Sequence, residues 1–344
     1  MVLRLPQWLQ TRVPWIVFAI SLLVTLAGWV STDRYVREQR RNLFTDDTNY
    51  AIGLISGRIR NYEQVVLGAA GLVDASNQVT RDEWQAYYLA LRLEERFPGV
   101  QGLGFVAHVT QADKARFLQS VRQDAFSYFR IHPDGERPEY AVLQHVEPWN
   151  EINKKLLGFD LYTDPLRRQA MDDARDSASP RMTRRLTLLR DRDQPEQAGA
   201  VMYMPVFRSG MPIETVAERR AALLGYINAP LRMGNLMAGL FSQRVRGELD
   251  FTLYDGAETS PAHLLYDSVL HVTKSPPKPG DELTSVERIE LAGQVWTVVF
   301  QARRAFIDST SSSLPMVVLL GGFALDLMLF ALIAVFASAR RLAV

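Results

Sequence analysis

The chain has 344 residues, 47% of them hydrophobic and 22% charged, with 39 basic and 38 acidic side chains and a formal net charge of +1. That balance gives no field that would favour nucleic acid or a polyanionic substrate. Cysteine is absent, which excludes a disulfide framework, thiolate metal sites and a thiol nucleophile.

An uncharged run extends from Val13 to Thr32, and a second apolar stretch from Leu314 to Ala337. Each can cross a hydrocarbon core of about 30 Å at roughly 1.5 Å per residue. Lipid-exposed backbone must satisfy its own hydrogen bonds, so each reads as one membrane-spanning helix. The first run is longer than the core of a secretory leader and leads into Asp33-Arg34-Tyr35 without a small-x-small cleavage pattern, so it reads as an uncleaved anchor. The tails, 1–12 and 338–344, offer Arg4, Arg12, Arg340 and Arg341. The loop flanks offer Arg34, Arg37, Arg40, Arg41, Arg303 and Arg304, so charge alone does not set the orientation. Everything large enough to fold lies in the loop, 33–313.

After the first span, Ile52, Ile55, Ile59, Tyr62, Val66, Ala69 and Val73 recur at alternating gaps of three and four. This is one apolar seam of a long helix, 33–75. It reads either as a signalling helix that pairs with a second protomer or, the favoured reading, as a helix packed along its own domain. Thr80-x-x-Glu83 resembles a capping box opening a helix to about Arg96. A turn at Phe97-Pro98-Gly99 and a strand Gly102–Val109 follow, then a helix Gln111–Gln123 and strands Tyr128–Ile131 and Tyr140–Val146.

A polar loop, Glu147–Lys155, precedes LGFDL (Leu157–Leu161). Asp164 as N-cap and Pro165 at the first helical position open a helix to about Ser177. Leu186–Leu189 and Ala200–Val206 read as strands around a charged hairpin, Arg190–Gln197. Leu223–Ala229 is a further strand, with a helix near Leu231–Phe241. The later strands are Glu248–Tyr254, Leu264–Leu270, Ile289–Leu291 and Gln294–Ala302, with a Pro-rich turn at Ser275–Gly280. Interspersed helices and hairpin-linked strands give an α+β class.

Catalytic signatures are missing. His108, His132, His145, His263 and His271 show no HxxxH or HxH spacing, and there is no nucleophile elbow or phosphate-cradling loop. Asp172-Asp173 falls on a helix as a solvated face. We therefore expect no enzyme, no metal and no cofactor. Asp326 lies mid-way along the second span, where a charged carboxylate costs on the order of 2.5–3.5 kcal/mol. The expectation is a polar contact with Thr25 or Ser21 of the first span, or with a dimer mate; the alternative is a tolerated polar residue in a sufficiently apolar helix.

The order of motifs resembles a CHASE domain, the extracytoplasmic sensory domain found before histidine kinases and nucleotide cyclases and in plant cytokinin receptors. The residues that carry it are Val79-Thr80-Arg81 before Trp84, Tyr87 and Tyr88; FPGVQGLGF (Phe97–Phe105); Glu147-Pro148, Asn153 and LGFDL; Asp164-Pro165 with Arg167-Arg168; Thr183 with Leu186-Thr187-Leu188; MYMPVFR (Met202–Arg208); and LLGYINAPLRMGNL (Leu223–Leu236). They span roughly Leu43–Ala302.

The resemblance implies a long helix leading into two PAS-like modules. The membrane-distal one, about 76–230, would bind a small ligand, and the proximal one, about 231–305, would relay to the second span. It also implies a pocket in the central block. Glu151 or Asn153 lies near the receptors' ligand-binding acid, and Leu189 and Gly225 match pocket-wall positions. Tyr203 replaces a threonine, and Thr183 matches a position to which signalling is sensitive. The larger Tyr203 and the missing aspartate argue against an adenine-type ligand.

Strands Leu186–Leu189, Val201–Val206 and Leu223–Ala229 can supply an apolar wall, and the Glu147–Lys155 loop its polar groups. Asp160 and Asp164 read equally as turn caps. The expectation is thus an inner-membrane, two-span, homodimeric sensor with a periplasmic loop. Its output would be a two-component kinase or a cyclase, fused or separate and absent from this chain. The alternative is a standalone module acting by protein contacts.

Overall fold

A single long helix, α1 (Gln7–Asp74), opens the computed structural model, which describes residues 7–76, 78–124, 127–191, 197–237, 240, 249–269 and 283–342. The chain divides into two compact units, Thr48–Gln301 and Met1–Asp47 with Ala302–Val344. Within the first of these, α1 buries Ala51, Ile55, Ile59, Tyr62, Val66, Ala69 and Val73. The Tyr62 ring packs on Phe97, with centroids 5.7 Å apart, and its hydroxyl donates to the Pro98 carbonyl. The apolar seam is therefore used inside the unit.

Helix α2 (Arg81–Leu91) starts on a complete capping box. The Thr80 hydroxyl accepts from the Glu83 N–H, and the Glu83 carboxylate accepts from the Thr80 N–H. Arg92, with φ of 48°, ends α2 and separates it from the single turn α3 (Leu93–Arg96). Strand β1 (Leu103–Thr110) leads to α4 (Lys114–Asp124) and β2 (Glu139–Glu147). Then come α5 (Glu151–Leu156), a 3-10 turn at Leu161–Thr163, α6 (Pro165–Ser177) and the short β3 (Arg181–Met182). Strand β4 (Gly199–Phe207), α7 (Val216–Ala222), β5 (Leu223–Arg232) and α8 (Met233–Met237) complete this part.

The five strands form an antiparallel sheet in the order β2-β1-β5-β4-β3. Ala170, Met171 and Ala174 of α6 cover one face, in a core with Val106, Leu143, Val201, Tyr203 and Tyr226. At the centre, Gly225 pairs with Ala107 of β1 and Val206 of β4. A Cβ there would collide with the Val106 carbonyl and the Phe105 ring, so only glycine permits this approach of β1 to β5.

A second antiparallel sheet contains β6 (Leu249–Asp255), β7 (Leu264–Asp267), β8 (Thr284–Leu291) and β9 (Gln294–Ala302), in the order β7-β6-β9-β8. Positive φ at both Ala292 and Gly293 makes the tight β8–β9 turn. That turn meets the first sheet: the Met182 N–H donates to the Ala292 carbonyl at 2.9 Å, and the Gln294 amide donates to the Met182 carbonyl at 2.8 Å. The Arg185 N–H donates to the Asp255 carboxylate at 2.9 Å.

In the other unit, α9 (Arg304–Ser309) and α10 (Leu314–Leu342) join the N-terminal part of α1. Ring contacts Phe44–Phe306, Phe18–Phe330 and Trp15–Phe330, with Gly28 against Val318, set α1 and α10 antiparallel. Gly322 lets Thr25 approach so closely that a Cβ would meet the threonine side chain at 2.6 Å. Both helices leave large apolar side chains exposed, among them Leu23, Val24, Leu320, Leu325 and Met328.

Some expected elements differ. Tyr128–Ile131 forms no strand; only His132 bridges, to Phe159. Leu186–Leu189 makes one bridge, Leu186 to Gly199, and then winds into a 3-10 turn, Leu189–Asp191. Asp191, buried and paired with Arg232, holds that turn, an interaction invisible in local propensity. Strand β8 is longer than Ile289–Leu291 because its polar half, from Thr284, pairs fully with β9. The turn at Ser275–Gly280, the hairpin from Arg190 through 192–196 and the end of the helix near Phe241 fall partly or wholly outside the described residues.

Gly225→Ala should destabilise the folded chain by about 1–3 kcal/mol through the forced separation of β1 and β5, read as a lowered midpoint in chemical unfolding. An unchanged midpoint would show that the strand pair tolerates the methyl group.

Candidate functional site

A cavity opens against the first sheet where the start of β1 pairs with β5. Its walls are Gln101–Gly104, Leu143 and Val146 of β2, Asn153 and Leu156 of α5, Leu161, Arg167 of α6, Leu188–Arg190, and Asn228 and Pro230 of β5. About 40 Å³ is open to the centres of water molecules, room for a few waters at roughly 10–15 Å³ each. Gly104 is part of the lining, and a Cβ there would run into the Asn228 amide oxygen, the His145 carbonyl and the Leu143 side chain, so only glycine fits.

Local chemistry positions the polar groups. Asp164 caps α6 by accepting from the Leu166 and Arg167 N–H groups at 3.0 and 3.3 Å. Its other oxygen accepts from Arg167 Nε at 3.3 Å. The guanidinium is thereby folded back over the first turn of α6, where Nη1 reaches the Tyr203 hydroxyl at 3.5 Å. Tyr203 is fully buried, and desolvation raises its pKa, so it stays a neutral phenol. Arg167 is 2% exposed and its Nη2 has no hydrogen-bond partner. Asn228, 6% exposed, likewise leaves its side-chain oxygen without one. Each such buried group costs about 1–3 kcal/mol. The second guanidinium of the lining, Arg190, donates to the Gln101 carbonyl at 2.6 Å.

Two of the sequence-derived residues, Asn153 and Leu189, line this cavity. The Asn153 amide is turned to the Pro148 carbonyl at 2.8 Å, so it also braces the β2–α5 turn. Glu151 is exposed on α5 and paired with Lys154 at 2.6 Å, which lowers its pKa. Thr183 is buried and accepts from the Val201 N–H at 3.0 Å, locking β3 to β4. Tyr203 stands behind Arg167, edge-on to Tyr226, and Gly225 lies between β1 and β4. Sequence reasoning missed Arg167, Asn228, Gly104 and Arg190 as site residues. Asn228 carried a usable signal: it is the one polar side chain in the apolar run LLGYINAPL of β5.

Asp160 is wholly buried, accepting from the Ala141 and Tyr162 N–H groups at 2.9 and 3.2 Å, with Arg137 at 3.3 Å. It holds the 3-10 turn to β2, as a cap does. His108 meets Glu139 at 3.0 Å, His132 meets the Leu157 carbonyl at 2.9 Å, and His263 lies by Ser260 and Glu258. His271 lies outside the described residues, among which no group of three His, Asp or Glu converges as a metal site. In the other unit, the Thr25 hydroxyl donates to the Asp326 carboxyl at 2.9 Å, while Ser21 turns to the Phe18 carbonyl.

His145 of β2 is buried beside the Trp84 ring, 6.1 Å between centroids. Desolvation, helped by the Arg81 charge and opposed by a hydrogen bond with the Val79 backbone, holds its pKa down to about 4 from 6.5. The unfolded chain therefore takes up a proton below pH 6.5 that the folded one refuses. This contribution is full above about pH 6.5 and lost as pH falls toward 4, on the order of 3 kcal/mol. His145→Gln should flatten the fall of the unfolding midpoint between pH 7 and 4; an unaltered pH profile would contradict the assignment.

Residues 77–266 match the CHASE domain family. Among solved structures, the chain is similar to the ligand-binding domain of the amino acid chemoreceptor PctC of Pseudomonas aeruginosa PAO1, solved with GABA: 13% identity, 76% of this chain and 99% of that chain, TM-score 0.42. It is also similar to the extracellular domain of vpHK1S-Z8, assigned as a histidine kinase: 9% identity, 86% of this chain and 97% of that chain, TM-score 0.32. No curated protein matches it in sequence.

Proposed function

This chain belongs to the CHASE domain family, a family of extracytoplasmic sensory domains, and from that premise we propose that it is a membrane-anchored sensor that binds a small ligand in the cavity of the first sheet. The carrying observation is the pair of buried, partnerless polar groups, Arg167 Nη2 and Asn228 Oδ1, in a cavity whose lining includes six leucines. Buried polar atoms are rarely left unsatisfied, and a ligand would satisfy both. In this reading Asn153 and Leu189 contact the ligand, Tyr203 positions Arg167, and Gly225 and Thr183 hold the strands that form the wall. Glu151 stays at the surface.

The two sheets serve as two PAS-like modules, the distal one binding and the proximal one relaying. Bonds from Met182 and Arg185 to Ala292 and Asp255 join them, so a shift at β3 is felt in the second sheet. Ligand acts only through its differential affinity for two arrangements of the domain. The arrangements differ in the relation of α1 to α10, which cross the inner membrane with the loop in the periplasm. The exposed apolar side chains of both helices support that placement, since water would penalise them. A histidine kinase or nucleotide cyclase, fused or separate, reads the change in a homodimer, and the domain itself catalyses nothing. A second reading, a module acting through protein contacts, is favoured by the small volume of the cavity.

Thermal unfolding of the full chain in detergent against a metabolite library distinguishes the two readings. A ligand at 100 times its Kd adds about 2.7 kcal/mol, a rise of roughly 2–4 °C per kcal/mol for a domain this size. The rise should saturate and vanish in Leu189→Trp, which fills the cavity. Silence from every compound would favour the protein-contact module.

For the helix pair, Thr25→Val and Asp326→Leu should each lower stability in detergent by about 1 kcal/mol and the double variant by no more than either, because one hydrogen bond is lost. Additive losses would mean that the two side chains act separately.

A further inference from the structure

The charges around the cavity are one-sided. Its lining holds two guanidiniums, Arg167 and Arg190, and no aspartate or glutamate. Arg190 uses a nitrogen on the Gln101 carbonyl, and Arg167 uses two of its three on Asp164 and Tyr203. Arg167 Nη2 is left without a partner, a charged donor on a buried residue of the lining. Such a donor is best matched by an anionic oxygen, because charge-assisted hydrogen bonds are roughly twice as strong as neutral ones. The Asn228 oxygen adds a demand for a donor on the same molecule. An ammonium group would supply one, but it would stand beside two guanidiniums, and the Asp164 carboxylate is already engaged by Arg167 and the first turn of α6. A neutral hydroxyl meets both conditions. Room for about three waters limits the molecule to a short carbon chain.

We infer that the ligand is a short hydroxycarboxylate whose carboxylate meets Arg167 and whose hydroxyl donates to Asn228. The inference rests on the sensor reading above and names its ligand class. Asp164 matters to it indirectly: by holding Nε and capping α6, it fixes the direction of Nη2 without touching the ligand.

The test uses the full chain in detergent with four probes of nearly equal size: lactate, propionate, alanine and lactamide, at matched ionic strength. Binding is read by calorimetric titration and by the rise in unfolding temperature. Lactate should bind most tightly and propionate more weakly, for want of the hydroxyl. Alanine, with an ammonium, and lactamide, without the anion, should each bind at least tenfold more weakly than lactate. Arg167→Met should weaken lactate at least tenfold and leave the order of lactate and lactamide no longer distinct.

Should Arg167→Met not fold, the four-probe series on the unaltered protein still decides. Lactamide or alanine equal to lactate, or no response to either carboxylate, overturns the inference. If neutral compounds of the library then bind and lose binding in Leu189→Trp, the sensor reading survives while the ligand class falls. If nothing in the library binds, both fall.

Discussion

Asp164 closes the N-terminus of α6 with one carboxylate oxygen and holds the Arg167 guanidinium with the other. The first role follows from helix physics, since the opening N–H groups of any helix need acceptors. The second converts that cap into a positioning device. Pro165 fixes the entry angle, and Arg167 stands within the first turn, so its long side chain can only fold back over the cap or leave the core. Folding back carries a buried charge to the cavity and against Tyr203. A charge so placed is tolerated because Asp164 pairs it and Tyr203 accepts from it. One nitrogen is left over, and the chemistry of the site follows from that remainder.

The sheet supplies one wall. Gly225 lets β1 and β5 approach, and Gly104 admits the Asn228 side chain beside it. Close packing at both positions depends on a missing side chain. At Gly225 the Val106 carbonyl and the Phe105 ring occupy the place of a Cβ, and at Gly104 the Asn228 amide oxygen and the His145 carbonyl do. The leucines that complete the wall come from five separate segments, so none of them makes a site alone.

The two sheets of the larger unit are joined by polar bonds. Met182 and Arg185, just past α6 in the chain, bond to the β8–β9 turn and to Asp255 of β6. The segment that carries Arg167 at one end is thereby fastened to the second sheet at the other. In the proposed sensor, a ligand held by Arg167 would act on α6, which is continuous in sequence with the contact between the sheets.

Sequence by itself determined the local features: two apolar runs, the α+β order of elements, the capping box at Thr80, the N-cap at Asp164, and the seam from Ile55 to Val73. All of these depend on neighbours within a few residues, or on a 3.6-residue period, and such rules are written along the chain. It also indicated Glu151, Asn153, Thr183, Leu189, Tyr203 and Gly225 as site residues, through resemblance to a family, and of these Asn153 and Leu189 line the cavity. Only the tertiary structure decided that Leu189 sits on a 3-10 turn, because the buried pair of Asp191 with Arg232 bridges residues 41 apart. Only it decided that Tyr203 supports the site from behind, and that Arg167 and Asn228 converge. Those two residues lie on different elements of the first sheet's layer, and each is ordinary in its own segment: an arginine in a charged helix and an asparagine in a strand. Their meaning comes from lining one cavity with one unused hydrogen-bonding atom each, a property of packing that no local pattern encodes.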